Sequence, residues 1–219
     1  MPTMNLAVST GGDDGFGFAG GNTFDNSSDT AFFGDDGDSS HAFFRFQLPD
    51  ALTGAVITSA VLTGRLDGGP SNCQVDVFAD KKGNPNAPTS WNNLANIDYT
   101  DASVFWNPNS DGGLQSPPDL SALIQELVDN FNMDSGHHII IVFDGDAYGE
   151  TAAREIHCWE STNEEATMII EYTVPPPIPT TITSVYDGSS FVPVATSVWD
   201  GGNWVDVVTK VWDGSAWVP

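Results

Sequence analysis

The stretch His41-Ala42-Phe43-Phe44-Arg45-Phe46-Gln47-Leu48 decides the fold class. Alternation puts Ala42, Phe44, Phe46 and Leu48 on one face, which is the period of a strand, and clustered phenylalanines suit a pleated, packed surface. Pro49-Asp50 ends the run. Arg45 falls on the face opposite Phe44 and Phe46. There it is expected to pair with a carboxylate or stack on a ring, with a glycan contact as the alternative.

The same signal returns further along the chain. Val56 to Leu66 is a second strand-like run containing Ile57, Val61 and Leu62, closed by Gly68-Gly69-Pro70. Gln74-Val75-Asp76-Val77-Phe78 alternates polar and apolar residues, as a half-buried strand does. His138 to Phe143, Ile156 to Trp159 and Met168 to Tyr172 follow. One segment changes period: Leu120, Leu123, Ile124, Leu127 and Val128 recur at helical spacing, with Asp119 placed as an N-cap. This predicts one amphipathic helix near 120–131. Residues 1–40 are rich in Gly, Asp, Asn and Ser and read as loops with a short strand at Thr30 to Phe33; residues 80–118 are loop-heavy as well. The predicted fold is all-β: a jelly-roll-like β-sandwich with one short helix over residues 1–174.

Pro175-Pro176-Pro177-Ile178-Pro179 then predicts an extended, semi-rigid linker over 175–180. Beyond it, residues 181–219 repeat. Val185-Tyr186-Asp187-Gly188, Val198-Trp199-Asp200-Gly201 and Val211-Trp212-Asp213-Gly214 start at even spacing, each followed by an aromatic-Val pair at Phe191, Trp204 or Trp217. Asp-Gly between aromatic and β-branched residues is a hairpin signal, so three β-hairpin repeats are expected. Such short hairpins bury little by themselves. Tyr186, Phe191, Trp199, Trp204, Trp212 and Trp217 are therefore the expected assembly interface, seeking the body, a symmetric copy or another protein.

Composition narrows the partners. Lys+Arg number 6 against Asp+Glu 30, a net charge of −24. Nucleic-acid binding depends on cations that neutralise phosphates, and anionic membranes repel such a chain, so neither is an expected partner. A partner with a basic patch fits. No run approaches the ~20 apolar residues of a membrane helix. Met1 to Thr10 has no basic n-region and no apolar h-region, so no secretory signal is read there. Cys73 and Cys158 belong to no CxxC pair; they are either buried free thiols or a disulfide.

The body resembles the DNRLRE-type domain, a β-sandwich related to carbohydrate-binding modules, over roughly residues 25–174. Four stretches carry the resemblance: Thr30-Ala31-Phe32-Phe33-Gly34-Asp35-Asp36, Ala42 to Pro49, Ala55-Val56-Ile57-Thr58-Ser59-Ala60-Val61-Leu62, and Asp119 to Val128. The segment from Trp159-Glu160-Ser161 through Ile169 to Thr173 looks like its closing strands. The tail resembles the Trp-Asp-Gly repeats at the ends of bacteriophage tail and head-decoration proteins. Together the resemblances imply a non-enzymatic virion surface component (capsid decoration, head fibre or tail-associated protein) that contacts other virion proteins and forms a homo-oligomer. The alternative they imply is a carbohydrate-binding module on an extracellular protein.

Candidate chemistry is sparse. No Gly-x-Ser-x-Gly, triad spacing or phosphate loop is present. Carboxylates are too abundant for any one pair to single itself out as catalytic. Asp35-Asp36-Gly37-Asp38 is an oxygen-rich turn with a metal reading through Asp35, Asp36 and Asp38, as is Asp144-Gly145-Asp146; the ion for such ligands is calcium. No other cofactor is expected. His137 and His138 are adjacent in a strand and face opposite sides, which argues against a shared metal; His41 and His157 read as structural. Trp91, Trp106 and Trp159 are the candidate glycan-stacking platforms, Trp91 and Trp106 because they lie in loop-like regions.

Overall fold

A computed structural model describes residues 1–149, 151–161 and 165–175, together with the backbone of six strands between 182 and 218. The chain divides into two compact units, Met1–Thr173 and Val174–Pro219.

The first unit is all-β. Its strands are β1 (Thr3–Ala7), β2 (Asp14–Phe18), β3 (Thr23–Asp25), β4 (Thr30–Asp35), β5 (Ser39–Gln47), β6 (Val56–Leu66), β7 (Val75–Ala79), β8 (Val104–Trp106), β9 (Gly113–Gln115), β10 (His138–Asp144), β11 (Ala153–His157) and β12 (Thr167–Thr173). They form one hydrogen-bonded antiparallel sheet in the order β1-β12-β6-β11-β4-β5-β10-β7-β8, with β2 on β5, β3 on β2 and β9 on β6. The two ends of this path face each other across one core. Met4, Leu6, Ala60, Leu62, Met168 and Ile170 from one half meet Phe33, Phe44, Phe46, Val75, Ile139, Ile141 and Phe143 from the other, which gives the unit its sandwich character.

β5 is the central strand. Phe44 and Phe46 point into the main core, as the alternation predicts. Phe43 enters a second, smaller core with Leu94, Ile140 and Val142, flanked by Phe24, Ile97 and Tyr99. Residues 39–44 are consequently buried on both faces of the sheet. The cover on the second face includes a short helix, α1 (Trp91–Ala95), whose N-cap Ser90 accepts the Asn93 N–H. The sequence pattern predicts a single helix and misses this one, because five residues are too few to display a helical period.

The predicted helix is α2 (Ser121–Asn130), which buries Leu123, Ile124, Leu127 and Val128. Asp119 serves its start one residue earlier than expected. Its Oδ1 accepts the Ser121 N–H at 2.7 Å and the Ala60 N–H at 3.1 Å, fastening α2 to β6. Gln125 adds a second fastening by accepting the Ile57 N–H at 2.8 Å. A bulge in the β6–β12 ladder at Glu171/Tyr172 sets Ile57 opposite Tyr172 and Ser59 opposite Glu171. Thr58 is thus the extra residue, and the inward set shifts to Ala60 and Leu62, which leaves Val61 outside.

Residues 1–40 depart most from the sequence reading, since they contain four strands. Glycine hides them. Gly15 has φ +148°, and a Cβ there would lie 2.4 Å from the Asp25 carbonyl oxygen; a Cβ on Gly17 would lie 2.6 Å from the Trp91 ring. β2 needs glycine because β3 and Trp91 rest directly on it, whereas strand propensity penalises glycine.

In the second unit, β13 (Ile182–Tyr186) pairs with β14 (Phe191–Ala195), β15 (Ser197–Trp199) with β16 (Trp204–Asp206), and β17 (Val211–Trp212) with β18 (Trp217–Val218), all antiparallel. The linker from residue 176 to 180 and the three Asp-Gly turns lie outside the described residues.

Phe44 is fully buried and Val61 is 38% exposed. Phe44→Ala is expected to destabilise the body by about 3–5 kcal/mol, and Val61→Ala by about 0.5 kcal/mol or less, in denaturant unfolding of the two variants.

Candidate functional site

The tail ladders place the six predicted interface aromatics in register. Tyr186 lies opposite Phe191, Trp199 opposite Trp204, and Trp212 opposite Trp217. In every hairpin the aromatic pair is the last rung before the turn. A directly opposed aromatic pair contributes roughly 0.2–1 kcal/mol to a ladder. Two strands of two to five residues remain marginal even so.

The three glycan candidates separate. Trp106 is buried, stacked on Phe33 at 5.5 Å between ring centres and tilted against Phe143. Trp91 is buried over Gly17 with its ring edge-to-face to His41. Both are packing residues with no open face, a correction to the loop-based expectation. The physical reason is that Trp106 lies on the edge strand β8 and packs into the main core, while Trp91 opens the short helix α1 that covers the second face. Trp159 is 43% exposed. Phe105 and Tyr148, which the sequence reading passed over, form an exposed edge-to-face pair at 5.2 Å, and the Tyr148 hydroxyl donates to Asp76 at 2.9 Å. A concave groove of about 590 Å³ is lined by Asp80, Lys82, Asn86, Asn92, Asn93 and Asn96 among others. Such amide side chains both donate to and accept from hydroxyl groups.

Arg45 takes the structural option. Its Nη1 lies 2.6 Å from Asp13 Oδ1 and its Nε donates to the Pro85 carbonyl at 3.0 Å. Arg154 is buried and donates to the carbonyls of Asp67, Pro70 and Asn109, holding two loops together. Lys81 pairs with Asp101 and Glu126, and Lys82 with Asp80. These four basic residues are thereby paired within the body.

The acidic turn at Asp35, Asp36 and Asp38 does not converge on one point. Asp35 Oδ1 accepts the Gly37 N–H, and Asp38 Oδ1 accepts the Gly20 N–H on another loop. The turn at Asp144 and Asp146 finds a third partner instead. His41 Nε2 lies 3.4 Å from Asp144 Oδ1 and 3.4 Å from Asp146 Oδ2. His41 could not be joined to this turn from the sequence, since it meets Asp144 only through the β5–β10 register. His138 bonds Asn84, His137 the Asn132 carbonyl, and His157 both Ser161 and Asp67. Cys73 and Cys158 are free and buried. Burial pushes the Cys73 thiol up to about 12 and raises Cys158 as well, with Asp14 and Glu160 reinforcing the latter. Neither thiol is a nucleophile in that state.

Asp14 is fully buried; Oδ2 accepts the Trp159 N–H at 2.8 Å and Oδ1 has no hydrogen-bond partner. Burial pushes its carboxyl from 3.8 to about 7, against the Trp159 hydrogen bond and with help from Glu160 and Asp13. The folded protein thus holds this proton more tightly than the unfolded chain. That stability is fully present below pH 3.8 and is lost as pH rises through about 7. Relative to Asp14→Asn, the native protein is expected to lose about 2–3 kcal/mol between pH 5 and pH 8, read as the difference in unfolding free energy at the two pH values.

The chain matches no protein-family model and no curated protein.

Proposed function

We propose that the chain is a non-enzymatic structural component of a bacteriophage particle, displayed on the particle surface and working through protein–protein assembly. The observation that carries this reading is the tail. Three repeats in even spacing form a compact unit of their own, and each sets an aromatic pair in register beside its turn. Hairpins of this size need an external surface to cover their apolar residues. Repetition supplies the same adhesive element three times, which raises the effective affinity of whatever it docks on. The resemblance to phage Trp-Asp-Gly repeats supports the same reading. So does the charge: with its cations paired internally, the body presents an acidic exterior suited to solubility at high local density and to a basic partner.

The Asn-rich groove and the exposed Trp159, Phe105 and Tyr148 favour a second reading, glycan binding by the body, in line with its likeness to DNRLRE-type sandwiches. The two readings are compatible, since a particle-surface protein can carry a glycan site.

Light scattering of the full chain and of residues 1–174 tests the first reading. The full chain is expected as a defined oligomer and the truncated chain as a monomer. Monomers in both cases would end the self-assembly part of the proposal. Binding on a glycan array that is lost in Asn92→Ala/Asn96→Ala would then put the second reading first.

A further inference from the structure

Among the described residues, one group of three His, Cys, Asp or Glu side chains brings its ligand atoms within 4.8 Å of one another: His41, Asp144 and Asp146. We propose that these residues bind one divalent transition-metal ion of the Zn²⁺ class.

Spacing is the first argument. Zinc bonds to imidazole nitrogen and carboxylate oxygen are about 2.0–2.2 Å, so two ligands on a tetrahedron stand roughly 3.3–3.6 Å apart. His41 Nε2 is 3.4 Å from an oxygen of each aspartate. Nε2 hydrogen-bonds neither oxygen, and the spacing is that of two ligands of a common ion.

The second argument is an unpartnered atom. His41 is 3% exposed, and its Nε2 makes no hydrogen bond although it is buried and aimed at both carboxylates. A buried polar atom left without a partner is uncommon and calls for a ligand. The other ring nitrogen is accounted for: Nδ1 lies 3.4 Å from the Tyr99 hydroxyl. With the Nδ1 proton directed to the Tyr99 oxygen, Nε2 presents its lone pair to the ion. This is the outer-shell support that metal-binding histidines usually have.

The third argument is rigidity. Gly145 sits so close to the Gly34 and Ser40 carbonyls that a Cβ there would lie 2.3 and 2.6 Å from them. The Asp144-Gly145-Asp146 turn is therefore pressed against the rung at which Gly34 of β4 pairs with Ser40 of β5. The Tyr148–Asp76 hydrogen bond holds the 3₁₀ turn Asp146–Tyr148 that follows. Asp146 is 61% exposed at its side chain, which gives the ion an entry path and a solvent position for a water ligand.

One imidazole with two carboxylates selects a d-block ion over Ca²⁺, which takes six to eight oxygen ligands. Bound there, the ion ties the start of β5 to the end of β10 and seals the rim of the second core.

The test is zinc binding by the full chain, stripped with chelator and titrated in excess Ca²⁺ and Mg²⁺ so that other surface carboxylates are occupied. One Zn²⁺ per chain is expected, together with the visible absorption of a four-coordinate site when Co²⁺ replaces it. Asp146 is exposed, so Asp146→Asn is expected to keep its fold, checked by circular dichroism, and to bind zinc at least tenfold more weakly. His41→Gln is expected to abolish the cobalt absorption. Asp36→Asn, which removes the same charge from the neighbouring turn, is expected to bind as the native chain does. No stoichiometric uptake, or equal affinity in the native chain and Asp146→Asn, would overturn the proposal. An equal loss in Asp36→Asn and Asp146→Asn would also overturn it, by showing a general acidic surface.

Discussion

β5 carries bulky apolar side chains on both faces, and the rest of the body is arranged to cover them. A strand in an antiparallel sandwich ordinarily shows one face to the core and the other to water. Here Phe44 and Phe46 occupy the main core while Phe43 sits in a second core under Leu94, Ile97 and Tyr99. Burying a phenylalanine side chain contributes roughly 1.5–3 kcal/mol, so leaving Phe43 bare would waste a contribution comparable with a large share of a domain's net stability. The segment around α1 supplies the cover. Its presence explains the glycines of β2, the inward position of Trp91 and the burial of His41. Arg45 marks where the cover ends: its guanidinium reaches across to Asp13 and to the Pro85 carbonyl.

The long strands and α2 were legible because each repeats a period long enough to read. β5, β6, β7, β10, β11 and β12 stand close to where alternation or apolar runs put them. What failed to show was structure whose signal lies in another part of the chain. β2 looks like a loop because its glycines answer to Trp91 and to the Asp25 carbonyl, neither of them close by in sequence. Trp91 and Trp106 sit in segments with loop composition, yet Trp91 opens the helix that covers the sheet and Trp106 ends a strand of the sheet itself. The bulge at Thr58 moved the inward set of β6 by one position, a change that period counting cannot anticipate. Candidate sites were harder still. Asp144 and Asp146 were visible as an acidic turn, but His41 joins them through strand register 100 or so residues apart in sequence.

Charge and architecture together describe a division of labour. The body uses Arg45, Arg154, Lys81 and Lys82 for internal bonds, so its remaining surface is dominated by the excess of carboxylates. Such a surface repels copies of itself and polyanions alike. On the proposed reading attraction comes from the repeats of residues 181–219, each of which carries an aromatic pair. On that reading, an acidic, folded body with an adhesive tail lets a protein coat a particle without clumping in solution.

The central claim is that adhesion resides in the tail and is separable from the body. The most direct measurement moves residues 175–219 onto an unrelated monomeric acidic carrier and determines the carrier's solution mass at increasing concentration. Association of the carrier into a defined oligomer, abolished when Trp199, Trp204, Trp212 and Trp217 are replaced by serine, is the result expected. A carrier that stays monomeric while the intact chain associates would place the contact on the body and contradict the account.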